Sequence, residues 1–138
     1  MLSASVGSLH AWTIFDILMI AIMPKQRLNP LPSAAFHILL SLADEDLHGY
    51  AIMRLVKEQT DGRMRLGPGT LYSSIQALLE EGFVEEVEGN TGHEPGLERR
   101  RYYHLTAAGR KLAQAEASRL ADLLQFARSK KILGGSHV

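Results

Sequence analysis

Two sets of side chains in this 138-residue sequence invite a chemical reading: six histidines, and the arginine run Arg99-Arg100-Arg101. The histidines (His10, His37, His48, His93, His104 and His137) are the candidates for metal binding or proton transfer. Both kinds of chemistry need a partner at fixed spacing. No H-x-x-x-H pair is present, and no histidine stands beside a carboxylate at a ligand spacing on one helix face. His37 therefore reads as a locally satisfied core or interface histidine, and His48 as a helix cap. The chain has no cysteine, which removes disulfides, thiolate metal sites and cysteine nucleophiles. It has no G-x-S-x-G, Walker loop or dinucleotide fingerprint, and the GPGT at 67–70 lacks the lysine and spacing of a phosphate loop. The expectation is a protein that is not an enzyme and holds no metal or cofactor.

The arginines offer a different chemistry, the binding of phosphate. The whole-chain balance of 15 basic against 15 acidic residues argues against a nucleic-acid partner, which usually selects a basic chain. The distribution argues otherwise. Residues 1–62 carry four basic and six acidic groups, whereas 63–79 carry Arg63 and Arg65 and no acid. Residues 80–98 hold seven glutamates and no base, and 99–138 hold nine bases against Glu116 and Asp122. Net zero is a cancellation of blocks.

The elements that position these groups follow from hydrophobic spacing and turn residues. The most apolar stretch, Ala11 to Met23, is 13 residues long and contains Asp16. That is short of the ~20 apolar residues of a membrane span, and no basic segment precedes it as in a signal peptide. It reads either as an extra amphipathic helix or as a segment upstream of a natural start at Met23. Pro24 to Pro32 is a linker with three of the five prolines. Ser33 is expected to cap a helix over Ala34–Ala43, with Phe36, Leu39, Leu40 and Ala43 as its buried face. A second helix is expected over about His48–Gln59, with Tyr50, Ile52, Met53, Leu55 and Val56 on its apolar side and Gly62 closing it. The Gly67-Pro68-Gly69 turn then opens a third helix running to about Glu81. Its core stripe is Leu71, Ile75, Leu78 and Leu79, and the opposite face carries Thr70, Ser73, Ser74, Gln76 and Ala77.

Gly82 stops that helix. Phe83–Glu88 and Arg99–Leu105 read as two strands of a hairpin around the glycine-rich loop 89–98. Thr106 is expected to cap a last helix over about Ala107–Leu133, whose apolar positions include Leu112, Leu120, Leu123, Leu124 and Ala127.

Helix, helix, tight turn, helix, hairpin, helix is the order of a winged helix-turn-helix: mainly α, with a small β-hairpin wing and a long C-terminal helix. The expected division is an extension and linker over 1–30, the winged domain over 31–105, and a C-terminal helix and tail over 106–138. A helix that reads a DNA groove needs short polar side chains outward, so that the backbone can come close. Residues 70–77 contain no acid, Arg63 and Arg65 precede them, and the helix N-terminus adds positive dipole for a phosphate. The wing arginines Arg99, Arg100 and Arg101 can bind flanking phosphates or enter the minor groove. A bland reading stands beside each of these. Ser, Thr and Gln also make an ordinary solvated face, and arginines opposite a glutamate-rich strand also make cross-strand ion pairs. Neutral overall charge and the glutamate block equally fit a winged helix that binds protein instead of DNA.

Three segments carry a family resemblance: LPSAAFHILLSLADEDLHGYAIM (31–53), GRMRLGPGTLYSSIQALLEEGFVEE (62–86) and RRRYYHLTAAGRKL (99–112). They resemble PadR-type transcriptional regulators of the short-tailed kind over about residues 31–112. HGYAIM and GPGTLY are specific to that family, whereas RRYYxLTxxG is similar to the wing of MarR-type proteins. The resemblance implies a cytoplasmic homodimeric repressor that binds a palindromic operator in double-stranded DNA and is released by a small molecule or other signal. It implies DNA-facing roles for Thr70, Tyr72, Ser73, Ser74 and Gln76, and phosphate contacts for Tyr50 and the wing arginines. Tyr72 is open to packing, phosphate binding or both; for the ring of Tyr50, core packing comes first. The resemblance also makes Leu112, Leu120, Leu123, Leu124 and Ala127 a dimer seam, with packing on their own domain as the alternative. Drug-binding members stack a planar ligand on an aromatic of the last helix, often Trp. Here that helix offers only Phe126 and the single Trp is Trp12, so such a pocket requires the N-terminal segment to fold into the dimer interface.

Overall fold

The computed structural model describes residue 14, residues 28–88 and residues 101–134. The expectations for the apolar stretch 11–23 beyond Ile14, for Trp12 and Met23, for the hairpin loop 89–98, and for Arg99 and Arg100 lie outside the described residues.

Helix α1 spans Ser33–Ser41. Its N-cap is Pro32, in extended conformation and with no side-chain cap, so Ser33 is the first helical residue and not the cap. The buried face is Ala35, Ile38, Leu39 and Leu42, with Phe36 and Ala43 only partly buried and Leu40 40% exposed. The expected face is one residue out of register. The segment is apolar nearly all round, so both frames satisfy the i, i+3, i+4, i+7 rule and local pattern cannot choose between them. His37 is satisfied within its own helix, its Nδ1 lying 2.8 Å from the Ser33 carbonyl.

A two-residue strand, β1 (Leu47–His48), follows, and it pairs antiparallel with β3 (Arg101–Leu105), Leu47 opposite Tyr103 and His48 opposite Tyr102. With β2 (Val84–Glu88) pairing antiparallel with β3 on its other side, the expected two-stranded wing is present, and β1 extends it to a sheet of three strands in the order β1-β3-β2. Two residues carry no periodicity, and this strand exists only through its long-range partner.

Helix α2 (Gly49–Gln59) starts at His48, whose imidazole Nδ1 accepts the Ala51 N–H at 3.2 Å. Asp61 and Gly62, with φ of 56° and 79°, end it, and the Gly62 N–H returns to the Lys57 carbonyl at 2.8 Å. Helix α3 (Pro68–Glu80) begins with Gly67 as N-cap and Pro68 in its first turn. Gly82, at φ 78°, closes it, and the Phe83 N–H bonds the Leu78 carbonyl at 2.9 Å.

Helix α4 spans Ala107–Ser129. Thr106 Oγ1 accepts the Gly109 N–H at 3.0 Å and its hydroxyl donates to the Gly82 carbonyl at 2.7 Å, so one side chain caps α4 and ties it to the end of α3. The helix stops four residues before the expected Leu133. Lys131 turns to φ 60° and the Ile132 N–H bonds the Ala127 carbonyl at 3.0 Å, a left-handed closure without glycine.

Ile38, Leu39, Ile52, Val56, Leu71, Ile75, Leu78 and Val84 form the centre of the core, where α1, α2, α3 and the sheet converge. Helix α4 reaches that core only through its first two turns. Gly109 is buried, and Leu112 and Ala113 pack against the cluster.

Candidate nucleic-acid interface

Helix α3 offers an exposed face built from Gly69, Thr70, Tyr72, Ser73 and Gln76. Ser74 is half-buried, and Ala77, expected on this face, is buried. The buried arc of α3 is wider than its leucine stripe, because α1, α2 and β2 all pack on it. What remains outward is a narrow, uncharged strip with no acid in the first turn. The Ser73 hydroxyl donates to the Thr70 carbonyl at 3.2 Å, and the Gln76 amide donates to Glu80 at 3.0 Å. Glu80 lies at the C-terminal end, so the acid is held away from the positive end of the helix dipole.

Arg63 and Arg65 are exposed on the turn before α3. Thr60 holds that turn. Its hydroxyl donates to the Val56 carbonyl at 2.9 Å, and its oxygen accepts the Met64 N–H at 3.0 Å. In the sequence Thr60 reads only as part of a helix stop, although a threonine at a C-terminus followed by two arginines is a usable signal.

Tyr50 does not pack in the core. It is 59% exposed, its ring parallel to that of His48 at 6.5 Å and beneath the Arg54 guanidinium at 5.9 Å. It opens a shallow cleft of about 210 Å³ lined by Tyr50, Met53, Arg54, Lys57, Arg65 and Leu66. Its lining thus combines three cations with one methionine, one leucine and the tyrosine. Arg54 and Lys57 escape sequence reasoning, since on α2 they read as an ordinary solvated face.

A helical domain with a small wing has counterparts among known proteins. The model of the transcriptional regulator PadR-like family matches residues 38–115. The chain belongs to the PadR-like family of transcriptional regulators. An uncharacterized 37.1 kDa protein in transposon TN4556 of Streptomyces fradiae is 43% identical over 86 residues, 62% of this chain and 22% of that protein. The chain thus spans about a fifth of the length of that relative. A PadR family transcription regulator from Clostridium difficile R20291 superposes with a TM-score of 0.62 at 20% identity, covering 71% of this chain and 97% of that one. Bacillus subtilis PadR in complex with operator DNA superposes with a TM-score of 0.54 at 22% identity, covering 62% of this chain and 47% of that one. These likenesses confirm the winged-helix fold.

In this PadR-like chain the described wing arginine is paired. Arg101 Nε lies 3.4 Å from Glu86 on the neighbouring strand, with both side chains exposed. For Arg101, the cross-strand ion pair of the bland reading is the one formed. Glu86 also acts on Tyr103, which is buried in the sheet. Its phenol is pushed above the ordinary tyrosine range by burial first, then by Glu86 and Tyr72, with Arg101 opposing. A second link has no sequence signal: His104 Nδ1 lies 2.7 Å from Asp46, and Arg110 donates to the Ala43 carbonyl at 2.8 Å. Together they tie the turn after α1 to β3 and α4.

The residues named as a dimer seam divide into two groups. Leu112 packs on the chain's own core and Ala127 is half-buried. Leu120, Leu123 and Leu124 are exposed, together with Phe126, at 38% to 60% of their surface. Among the described residues no three or more His, Cys, Asp or Glu side chains are grouped to hold a metal ion, and no helix is long and apolar enough to cross a membrane.

Proposed function

We propose that this PadR-like chain is a homodimeric repressor that binds a palindromic operator in double-stranded DNA and is released by a small molecule or other signal. It acts in the cytoplasm and catalyses no reaction. The observation that carries the reading is the uncharged, exposed strip of α3 with arginines leading into its positive end. In the superposing Bacillus subtilis PadR structure the partner is operator DNA. Thr70, Ser73, Ser74 and Gln76 face the major groove, with Tyr72 at the edge of that face. Tyr50, Arg63, Arg65 and the wing residues Arg99, Arg100 and Arg101 contact phosphates, and the cleft adds Arg54 and Lys57.

The helix α4 stripe Leu120, Leu123, Leu124 and Ala127 pairs with a second copy, continued by Phe126. At 1.5 Å per residue the 23-residue helix is about 35 Å long, and a core of this size covers only its beginning. Two such subunits present two α3 helices, so half-sites lie one helical turn of DNA, or a multiple, apart.

The test is titration of DNA flanking the gene over a series of salt concentrations, with footprinting of the bound site. Steep loss of affinity with salt and paired half-site protection support the reading. Salt-insensitive binding, or no protected site, points to the protein-binding alternative. Leu123→Asp is expected to halve the mass in solution and abolish paired protection.

A further inference from the structure

Tyr72 stands on the exposed edge of α3, yet its phenol is turned toward α2. A Cβ placed on Gly49 would collide with the Tyr72 hydroxyl and lie 3.0 Å from its Cζ and 3.2 Å from its Cε1. Gly49 is the first residue of α2, its φ is not in the left-handed region, and it is buried. Backbone conformation therefore does not demand glycine there. The approach of Tyr72 does, since its atoms are the three nearest to that Cβ.

The same few residues hold the wing. Leu47 and His48 pair with Tyr103 and Tyr102 of β3, and the His48 ring packs edge-on against Tyr102 at 5.3 Å and 87°. His48 also caps α2. Residues 47–49 thus form a joint at which α2, α3 and the wing meet, and Tyr72 is the part of α3 that enters it.

We propose that Tyr72 is a positioning residue, not a base or phosphate reader: its phenol, admitted by the missing side chain of Gly49, wedges α3 against the start of α2 and holds recognition helix and wing in one geometry. The role in recognition rests on the DNA-binding reading above; the wedge itself does not. A methyl at residue 49 meets the tip of a side chain that can swing away. Gly49→Ala thus displaces Tyr72 and leaves the domain folded.

The experiment compares Gly49→Ala, Tyr72→Phe, the double variant and Tyr72→Leu, each in the full chain. Operator affinity, its salt slope and the amide resonances of Leu47, Tyr102 and Tyr103 are measured. Gly49→Ala is expected to weaken operator binding about tenfold and to shift those amides. Tyr72→Phe is expected to stay within about twofold, and in the Gly49→Ala background it recovers part of the loss, because the colliding oxygen is gone and the ring carbons at 3.0 and 3.2 Å need only a small shift. Tyr72→Leu removes the wedge without adding an atom at residue 49. It is expected to lower specificity while leaving the salt slope unchanged.

A hydroxyl that bound phosphate or a base would give the opposite pattern. Tyr72→Phe would then weaken binding by itself, the double variant would not recover, and losing a phosphate contact would flatten the slope by about 0.9. That result overturns the proposal, as does an unshifted joint in Gly49→Ala. If the wild-type chain binds no DNA, the repressor reading falls, and the amide shifts and their recovery still decide the wedge.

Discussion

Gly49 and Gly109 sit at the two joints of this domain, and each admits a neighbour that a methyl group would block. They differ in what the neighbour is. At Gly109, in the first turn of α4, the obstacle is main chain: an added Cβ would collide with the Phe83 carbonyl oxygen and lie 2.9 Å from its carbon, with Leu105 Cδ1 at 2.8 Å. At Gly49 it is the free end of one tyrosine. A carbonyl between α3 and β2 cannot move without moving the sheet, whereas a phenol can rotate. One glycine therefore secures the fold, and the other secures the relation between two surfaces of a folded domain.

The largest effect should come from the main-chain joint. Gly109→Ala is expected to cost about 3 kcal/mol, read as a lowered thermal midpoint, by forcing the packed start of α4 off Phe83. A wild-type melt there would erase the contrast with Gly49. Next, Thr106→Ala removes the cap of the same turn together with its bond to Gly82, and should cost about 1–2 kcal/mol by chemical denaturation. Gly49→Ala should cost less than about 1 kcal/mol in the same measurement, the loss appearing in operator binding instead. Equal destabilisation by the two glycine variants would merge the joints into one class.

The smallest effect concerns Tyr103, beside the Gly49 joint. Its folded-state pKa lies above the ordinary value of 10.0, so the folded chain holds this proton more tightly than the unfolded chain does. The resulting stability is present below pH 10 and is lost as pH rises through the folded pKa. Tyr103→Phe is expected to flatten this alkaline decline in a pH series of denaturation curves.

Much of the fold was legible because its punctuation is local. Pro68 opens α3, Gly82 closes it and Thr106 caps α4, each for a reason carried by the residue itself. Where several local solutions were equally good, tertiary packing decided. The face of α1 moved by one residue because nearly every position there is apolar. The end of α4 moved to Ser129 because Lys131, and not a glycine, takes the left-handed turn. Strand β1 and the pair formed by His104 and Asp46 depend on partners more than 50 residues away, beyond any periodicity. For the candidate interface, residue types on α3 were readable and their surroundings were not. Ala77 turned inward and Tyr50 outward, and nothing near Gly49 in the chain announces that Tyr72 arrives above it.

The sheet order has a consequence of another kind. With β3 in the middle, β2 has no strand on its outer side among the described residues, and such an edge is a template for pairing with other chains. That edge carries Glu85, Glu86 and Glu88, all exposed. Two identical edges meeting would bring Glu85, Glu86 and Glu88 close to their counterparts, like charge against like charge. The glutamates of β2 thus oppose the pairing of this five-residue edge strand with copies of itself.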